Sequence, residues 1–230
     1  MLTKTKNKSN FDKLKKKIIA CNKCPRLVEF RKKISTEKRK QYINETYWGK
    51  PITGFGDHNG KILFVGLAPA AHGGTRTGRV FTGDKSSDFL YKCLHKAKIS
   101  NQSKSEHIND GLKLKKAYIT TALKCVPPED KPKKKELDNC FNFFNSEISS
   151  LKNLKIIVAL GKIAFDACKY LYKSKYNFND KIKFAHDKIY KLPNNILLVG
   201  CYHPSPRNVN TGRINEKKMT NLFRKVLKLA

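Results

Sequence analysis

The stretch KILFVGLAPAAHGGTRTGRVFTGD, residues 61–84, places a short apolar run directly before a loop rich in Gly and Ala. Residues 61–66 have the length and the Val, Ile and Leu content of a buried strand. The glycines that follow are typical of a phosphate-binding loop, but the Lys and the Ser or Thr that complete a P-loop are missing, and no GxGxxG is present. A nucleotide-binding enzyme is therefore a weak interpretation of this loop.

Three other segments share the apolar character of residues 61–66, with helical patterns lying between them; they are residues 117–122, 155–160 and 196–201. Alternation of such strands with helices is typical of a parallel sheet covered on both faces. We predict an α/β fold, a three-layer α/β/α sandwich around a central four-stranded parallel sheet. We expect one domain over residues 1–230, a basic and helical N-terminal segment over residues 1–20, and an exposed loop over residues 100–116.

The charge is strongly one-sided, because 49 Lys and Arg face 18 Asp and Glu and give a formal net charge of +31. Such an excess favours a polyanionic partner, with nucleic acid as the first candidate. A lysine-biased composition is the alternative, since Lys far outnumbers Arg. The apolar runs are too short to span a bilayer, and a cytoplasmic location is the default expectation.

The seven cysteines include one CxxC pair, Cys21 and Cys24. Cys125 follows a predicted strand, and Cys140 lies beyond a proline-rich segment in the next predicted helix. The four could form a tetrathiolate site, for which zinc and an iron–sulfur cluster both stay open. Alternatively, Cys140 packs in the core, because it shares the apolar face of its helix.

Ligands of open parallel sheets lie beyond the carboxyl ends of the strands. Asp84 and His203 occupy such segments, and His203 lies between a strand end and two prolines. Asp84 is also well placed to cap the next helix, and Phe81 could equally be a core residue. The basic and polar residues that follow His203 suit a phosphate backbone; they are Arg207, Asn208 and Arg213.

Four blocks carry a resemblance to a known family: YWGKPITGFGD (47–57), GLAPAAHGGTRTGRVFTGD (66–84), ALKCVPPEDKP (122–132) and HPSPRNVNTGR (203–213). With the upstream CNKC pair, they are similar to the uracil-DNA glycosylase superfamily, in its type 5 branch with an iron–sulfur cluster. The resemblance implies that Cys21, Cys24, Cys125 and Cys140 hold a [4Fe–4S] cluster. It also implies a monofunctional base-excision repair glycosylase, which flips a base out of DNA and hydrolyses its N-glycosidic bond.

The same resemblance implies roles for the loop residues. Phe81 matches the aromatic that stacks on the flipped base, and His203 matches the donor to the leaving base. Leu67 stands where other branches carry an acidic or amide residue, so Asp84 is the acidic group expected to position water or stabilise the sugar, with Asp130 as a doubtful supporting residue. The expected base pocket comprises Gly66, Leu67, Ala68, Phe81 and Thr121.

Strict uracil readers place an Asn near the end of the second strand, where this chain has Thr121 and Ala122. A pocket without that amide should tolerate other deaminated or oxidised bases. The expected partner is uracil-containing DNA, double- or single-stranded, and the expected state is a monomer. The competing hypothesis is a DNA-binding module that is stabilised by iron–sulfur or zinc and has lost turnover.

Overall fold

The computed structural model describes the backbone of residues 2–230 and the side chains of residues 11–230, so Met1 of the predicted N-terminal segment lies outside the described residues. Eight α-helices are described: α1 (Leu2–Ile19), α2 (Pro25–Glu37), α3 (Gly74–Thr77), α4 (Lys85–Lys96), α5 (Lys134–Ser150), α6 (Lys162–Tyr176), α7 (Pro206–Asn210) and α8 (Glu216–Leu229). Helix α1 spans most of the segment for which a basic N-terminal helix is expected. None of these helices is both long and apolar enough to cross a membrane.

The strands form one sheet in the order β1-β3-β2-β4-β6-β5. They are β1 (Phe55–Gly56), β2 (Ile62–Gly66), β3 (Ala117–Thr121), β4 (Ile156–Leu160), β5 (Ile189–Lys191) and β6 (Leu197–Cys201). The four predicted strands are β2, β3, β4 and β6, and they pair in parallel as expected. Two short antiparallel strands, β1 and β5, extend this predicted core to six strands.

The sheet is buried on both faces, which explains why its central strands are apolar throughout. Helices α4 and α8 cover one face, where the ring centroids of Phe64 and Phe223 lie 5.1 Å apart. Helices α1, α5 and α6 cover the other face, with Phe11, Phe144 and Phe165 in the second apolar cluster. The predicted three-layer α/β/α sandwich is confirmed.

Residues 100–116 differ from the exposed loop that their polar composition predicts. Ser105 is fully buried, Leu112 is 5% exposed, and Ser100 forms an isolated antiparallel bridge with Leu114. The physical reason is an ion pair that the local sequence does not signal: Asp110 meets the buried guanidinium of Arg79. This segment therefore lies against the loop that follows β2.

Candidate active site

A cavity of about 490 Å³ opens at the carboxyl ends of the parallel strands. Its walls come from the segments after β2, β4 and β6, together with the loop that follows β3, as the strand topology predicts. Of the residues singled out from the sequence, it brings together Leu67, Ala68, Phe81, Asp84, Asp130 and His203. Gly66 and Thr121 lie at the ends of neighbouring strands, just behind this lining.

Phe81 is partly buried, and its ring faces His203 with centroids 6.2 Å apart and planes 36° apart. A β-carbon at Gly66 would lie 2.7 Å from the Phe81 ring. The ring can therefore occupy its position only because residue 66 is glycine. Phe81 also has a φ of 48°, in the left-handed region that a phenylalanine rarely adopts. Strain of this kind persists only where the surrounding contacts impose it.

Those contacts come from Arg79 and its neighbours. Its guanidinium donates to both carboxylate oxygens of Asp110, at 2.8 and 2.6 Å, and to the hydroxyl of Thr82 at 2.9 Å. Ser105 meets the Thr82 hydroxyl at 2.7 Å, and its carbonyl accepts from the Gly83 amide at 2.8 Å. This clamp fixes the chain on both sides of Phe81. Sequence reasoning missed it, because Arg79 and Asp110 are 31 residues apart.

Asp84 is the N-cap of α4, as the sequence allowed. Its Oδ1 accepts hydrogen bonds from the amides of Ser86 and Ser87 at 2.9 and 3.0 Å, and the Ser87 hydroxyl completes a capping box with the Asp84 backbone. These bonds use Oδ1 alone, so Oδ2 is available to the cavity. Burial raises the pKa of the Asp84 carboxyl, while the two amide hydrogen bonds lower it in part.

His203 follows β6 and lines the same cavity. Burial lowers the pKa of its imidazole to about 4, so the ring is neutral at physiological pH. Within the described part of the chain, neither ring nitrogen has a hydrogen-bond partner, and both are therefore available to a ligand. The Asn208 side-chain amide donates to the His203 carbonyl at 2.9 Å and fixes the turn that carries the ring.

Arg207 and Arg213 are exposed and line a shallow groove beside this turn. The guanidinium of Arg213 lies 5.6 Å from the ring centroid of Tyr202, the neighbour of His203. Asn208, expected in the same role, also lines the groove, although its amide is engaged with His203. The groove and the cavity are thus adjacent.

The four cysteines singled out from the sequence line a second, separate cavity between α2, α5 and the segment after β3. Three of their sulfurs accept hydrogen bonds: Cys125 from Arg31 at 3.2 Å, Cys24 from Asn139 at 3.4 Å, and Cys140 from the Lys124 amide at 3.3 Å. Among residues 11–230, however, no three His, Cys, Asp or Glu side chains converge closely enough to hold a single metal ion.

A buried ion pair lies next to these cysteines. The Lys124 ammonium meets the Glu147 carboxylate, with both side chains 2% exposed. Lys124 also donates to the Thr121 carbonyl at 2.7 Å, and Glu147 accepts from the Gly54 amide at 2.8 Å. The pair therefore joins β3, α5 and the segment that precedes β1.

Comparison with known proteins identifies the family to which this fold belongs. A model of the Uracil DNA glycosylase superfamily matches residues 53–228. The chain belongs to this superfamily. The glycosylase fold and the family that the four sequence blocks predict are thereby confirmed.

Relatives within the superfamily point to its type-5 branch. The type-5 uracil-DNA glycosylase of Mycobacterium bovis is 38% identical over 214 residues, which are 93% of this chain and 79% of the relative. That of Thermus thermophilus is 38% identical over 213 residues, covering 93% and 95% of the two chains. That of Pyrobaculum aerophilum is 36% identical over 215 residues, covering 94% and 91%.

Proposed function

We propose that the cavity receives a uracil rotated out of DNA, and that the protein hydrolyses its N-glycosidic bond to leave an abasic site. The observation that carries this proposal is that Phe81, Asp84 and His203 line one cavity in a member of the uracil-DNA glycosylase superfamily. At about 490 Å³ the cavity is within the usual range for ligand sites. An aromatic face, a carboxylate and a neutral donor are what bond cleavage at a flipped base needs.

His203 is the proposed donor to the leaving base. Negative charge develops on the base as the glycosidic bond breaks, and a fixed donor at the base carbonyl stabilises it. A neutral imidazole suits this task, because it donates a hydrogen bond without first having to acquire a proton in a buried site. The Asn208 bond to the His203 carbonyl then acts as a positioning contact.

Asp84 is the proposed anion beside the sugar. Its Oδ1 is committed to the α4 amides, so the carboxylate is held still while Oδ2 orients water or stabilises the sugar cation. Leu67 lines the same cavity and can do neither. Asp130 has an exposed side chain at the rim, which limits it to a supporting role.

The pocket is proposed to accept more than uracil. Thr121 is 1% exposed behind the lining and presents no side-chain amide to a base. The lining from the segment after β2 includes Leu67 and Ala68, which offer shape rather than side-chain hydrogen bonds. We therefore expect the protein to release other deaminated or oxidised bases as well. We also propose that it acts as a monomer on both double- and single-stranded DNA.

The phosphate backbone is proposed to cross the groove of Arg207 and Arg213. Both guanidinium groups are exposed beside the turn that carries His203, and a net charge of +31 favours any DNA. Affinity should fall steeply with salt, with Arg207→Ala and Arg213→Ala reducing the slope.

The cysteine cavity is proposed to hold a [4Fe–4S] cluster on Cys21, Cys24, Cys125 and Cys140. A single zinc ion needs its ligands to converge on one point, whereas each iron of a cluster takes one thiolate and the four thiolates surround it. The four cysteines line one cavity in a member of this superfamily, which supports a shared site for them. The N–H donors to three of the sulfurs suit thiolates. The cluster would pin α2, α5 and the segment after β3 together.

The test is single-turnover cleavage of oligonucleotides bearing uracil, hypoxanthine or hydroxymethyluracil, after anaerobic purification with a visible spectrum. We expect Asp84→Asn and His203→Asn to lose about 100-fold or more in rate while keeping DNA affinity. Asp88→Asn, an exposed carboxylate in the first turn of α4, is the matched control and should cleave normally. Wild type that binds DNA but releases no base would favour the non-catalytic DNA-binding module.

A further inference from the structure

Arg31 is buried in α2 against the cysteine cavity, with 6% of its surface exposed. Its guanidinium donates to the Cys21 carbonyl at 3.3 Å, to the Cys125 sulfur at 3.2 Å and to the Asn22 amide oxygen at 2.6 Å. Among residues 11–230, no carboxylate lies within ion-pair distance of it. Arg31 is therefore a buried cation whose described partners are a carbonyl, an amide and a sulfur.

An isolated buried charge is costly, and arginine cannot avoid the cost by losing its proton. The same helix shows the usual solution: Arg26 donates to both carboxylate oxygens of Glu136, at 2.7 and 2.8 Å. Arg31 has no such carboxylate among the described residues, and the cavity that it faces is lined by the four cysteines. The charge that would balance Arg31 is that of the metal centre proposed there, because Cys125, one of its four proposed ligands, accepts the Arg31 hydrogen bond.

We propose that Arg31 is the countercharge of the cysteine-bound metal centre and that it sets both the retention and the reduction potential of that centre. The proposal rests on the cofactor proposed above. Four thiolates leave a [4Fe–4S] centre with net negative charge, and reduction adds one more negative charge beside the guanidinium. Net charge and hydrogen bonds to the sulfurs are what tune such potentials.

Arg31 also joins two distant parts of the chain. Cys21 and Asn22 precede α2, whereas Cys125 follows β3, 94 residues after Arg31. One guanidinium thus connects the two sources of cysteine ligands, which adds to its expected effect on retention. A purely structural role would weaken retention alone, whereas a countercharge also shifts the potential.

The test compares R31Q, R31K and the control R26Q, all purified anaerobically. Iron and sulfide per chain, the rate of cluster loss to a chelator and the reduction potential by protein-film voltammetry are measured. We expect R31Q to lose its cluster about 10- to 100-fold faster and to have a lower potential than wild type. R31K keeps the positive charge but not the planar guanidinium, so the reduction potential of its cluster should lie between those of R31Q and wild type. R26Q should lose stability and keep its potential.

An unchanged potential in R31Q, or in R31K should R31Q be insoluble, would overturn the proposal. If wild type binds zinc instead of iron, the [4Fe–4S] proposal is wrong but the proposed role of Arg31 is not yet contradicted. The retention of zinc by the same variants then tests the role of Arg31, because a zinc tetrathiolate is also negatively charged. Equal zinc retention by wild type and R31Q would overturn that role. A chain that binds neither metal would overturn both.

Discussion

The backbone of Gly73 lies so close to the Asp84 carboxylate that a β-carbon at position 73 would overlap Oδ2. The φ of Gly73 is −100°, so this overlap does not depend on a positive φ. The free oxygen of Asp84 therefore owes its position to a missing side chain in the loop after β2.

Gly73→Ala should displace Asp84 Oδ2 and slow base excision by about 100-fold, because small misplacements of a reacting group have effects of this size. DNA affinity should be retained, and single-turnover kinetics with uracil DNA would measure the loss. The control is the double variant with Asp84→Asn. If the alanine acts through Asp84, the double variant will be no slower than Asp84→Asn alone, and additive losses would contradict this explanation.

At position 81, a glycine variant should be at least as stable as an alanine variant, which is the reverse of the usual order of stability. Glycine ordinarily destabilises an ordered segment by about 0.5–1 kcal/mol relative to alanine, but at a φ of 48° it relieves strain that alanine keeps. Phe81→Gly should therefore unfold at a temperature at least as high as Phe81→Ala. Both should lose excision rate, since base stacking on an aromatic ring is worth about 1–3 kcal/mol. A less stable glycine variant would mean that the strain is relieved elsewhere.

The contribution of His203 to the excision rate should have a characteristic pH dependence. Its pKa falls to about 4 in the folded protein, so the ring stays neutral as the pH drops through 6.5, the usual histidine value. The ratio of the wild-type rate to that of His203→Asn should be constant from about pH 8 to about pH 5.5. A ratio that falls on acidification with a midpoint near 6.5 would show an ordinary histidine.

The same shift predicts a change in stability. A lowered histidine pKa means that the folded state resists a proton that the unfolded state accepts. The contribution of His203 to stability is complete above pH 6.5 and is lost progressively as the pH falls towards about 4. The free energy of unfolding of wild type in urea should therefore fall relative to that of His203→Asn as the pH decreases through this window.

The Lys124–Glu147 pair predicts a non-additive stability loss. Lys124→Met alone leaves a buried carboxylate without its cation and should destabilise the fold by about 3–5 kcal/mol. Adding Glu147→Gln removes that charge and keeps an acceptor for the Gly54 amide, so the double variant should recover much of the loss. Guanidinium unfolding of the two single variants and the double variant measures the coupling. A double variant as unstable as Lys124→Met would contradict the ion-pair explanation.

The parts of the fold that sequence predicts are those whose signal is local. Strands β2, β3, β4 and β6 are apolar throughout because they are buried on both faces, and all four were predictable within a residue. Strands β1 and β5 contain two and three residues, which is too short for any pattern. Their existence depends on the strands that they pair with.

The site divides in the same way. Asp84, Phe81 and His203 are recognisable because each lies in a distinctive segment after a strand. Arg79 and Arg31 are not, because Asp110 and Cys125, the partners that give them their roles, lie 31 and 94 residues away. From the sequence alone, each resembles an ordinary surface cation. The single-domain organisation, the monomeric state, the cytoplasmic location and the roles assigned to individual site residues stay predictions.

Strands β1 and β5 form the two borders of the sheet. A border of two or three residues exposes very few unpaired amides and carbonyls, so another strand finds almost nothing to pair with. Charge repulsion between chains that each carry +31 acts in the same direction. The short borders and the charge of the chain thus both disfavour pairing between the sheets of neighbouring molecules.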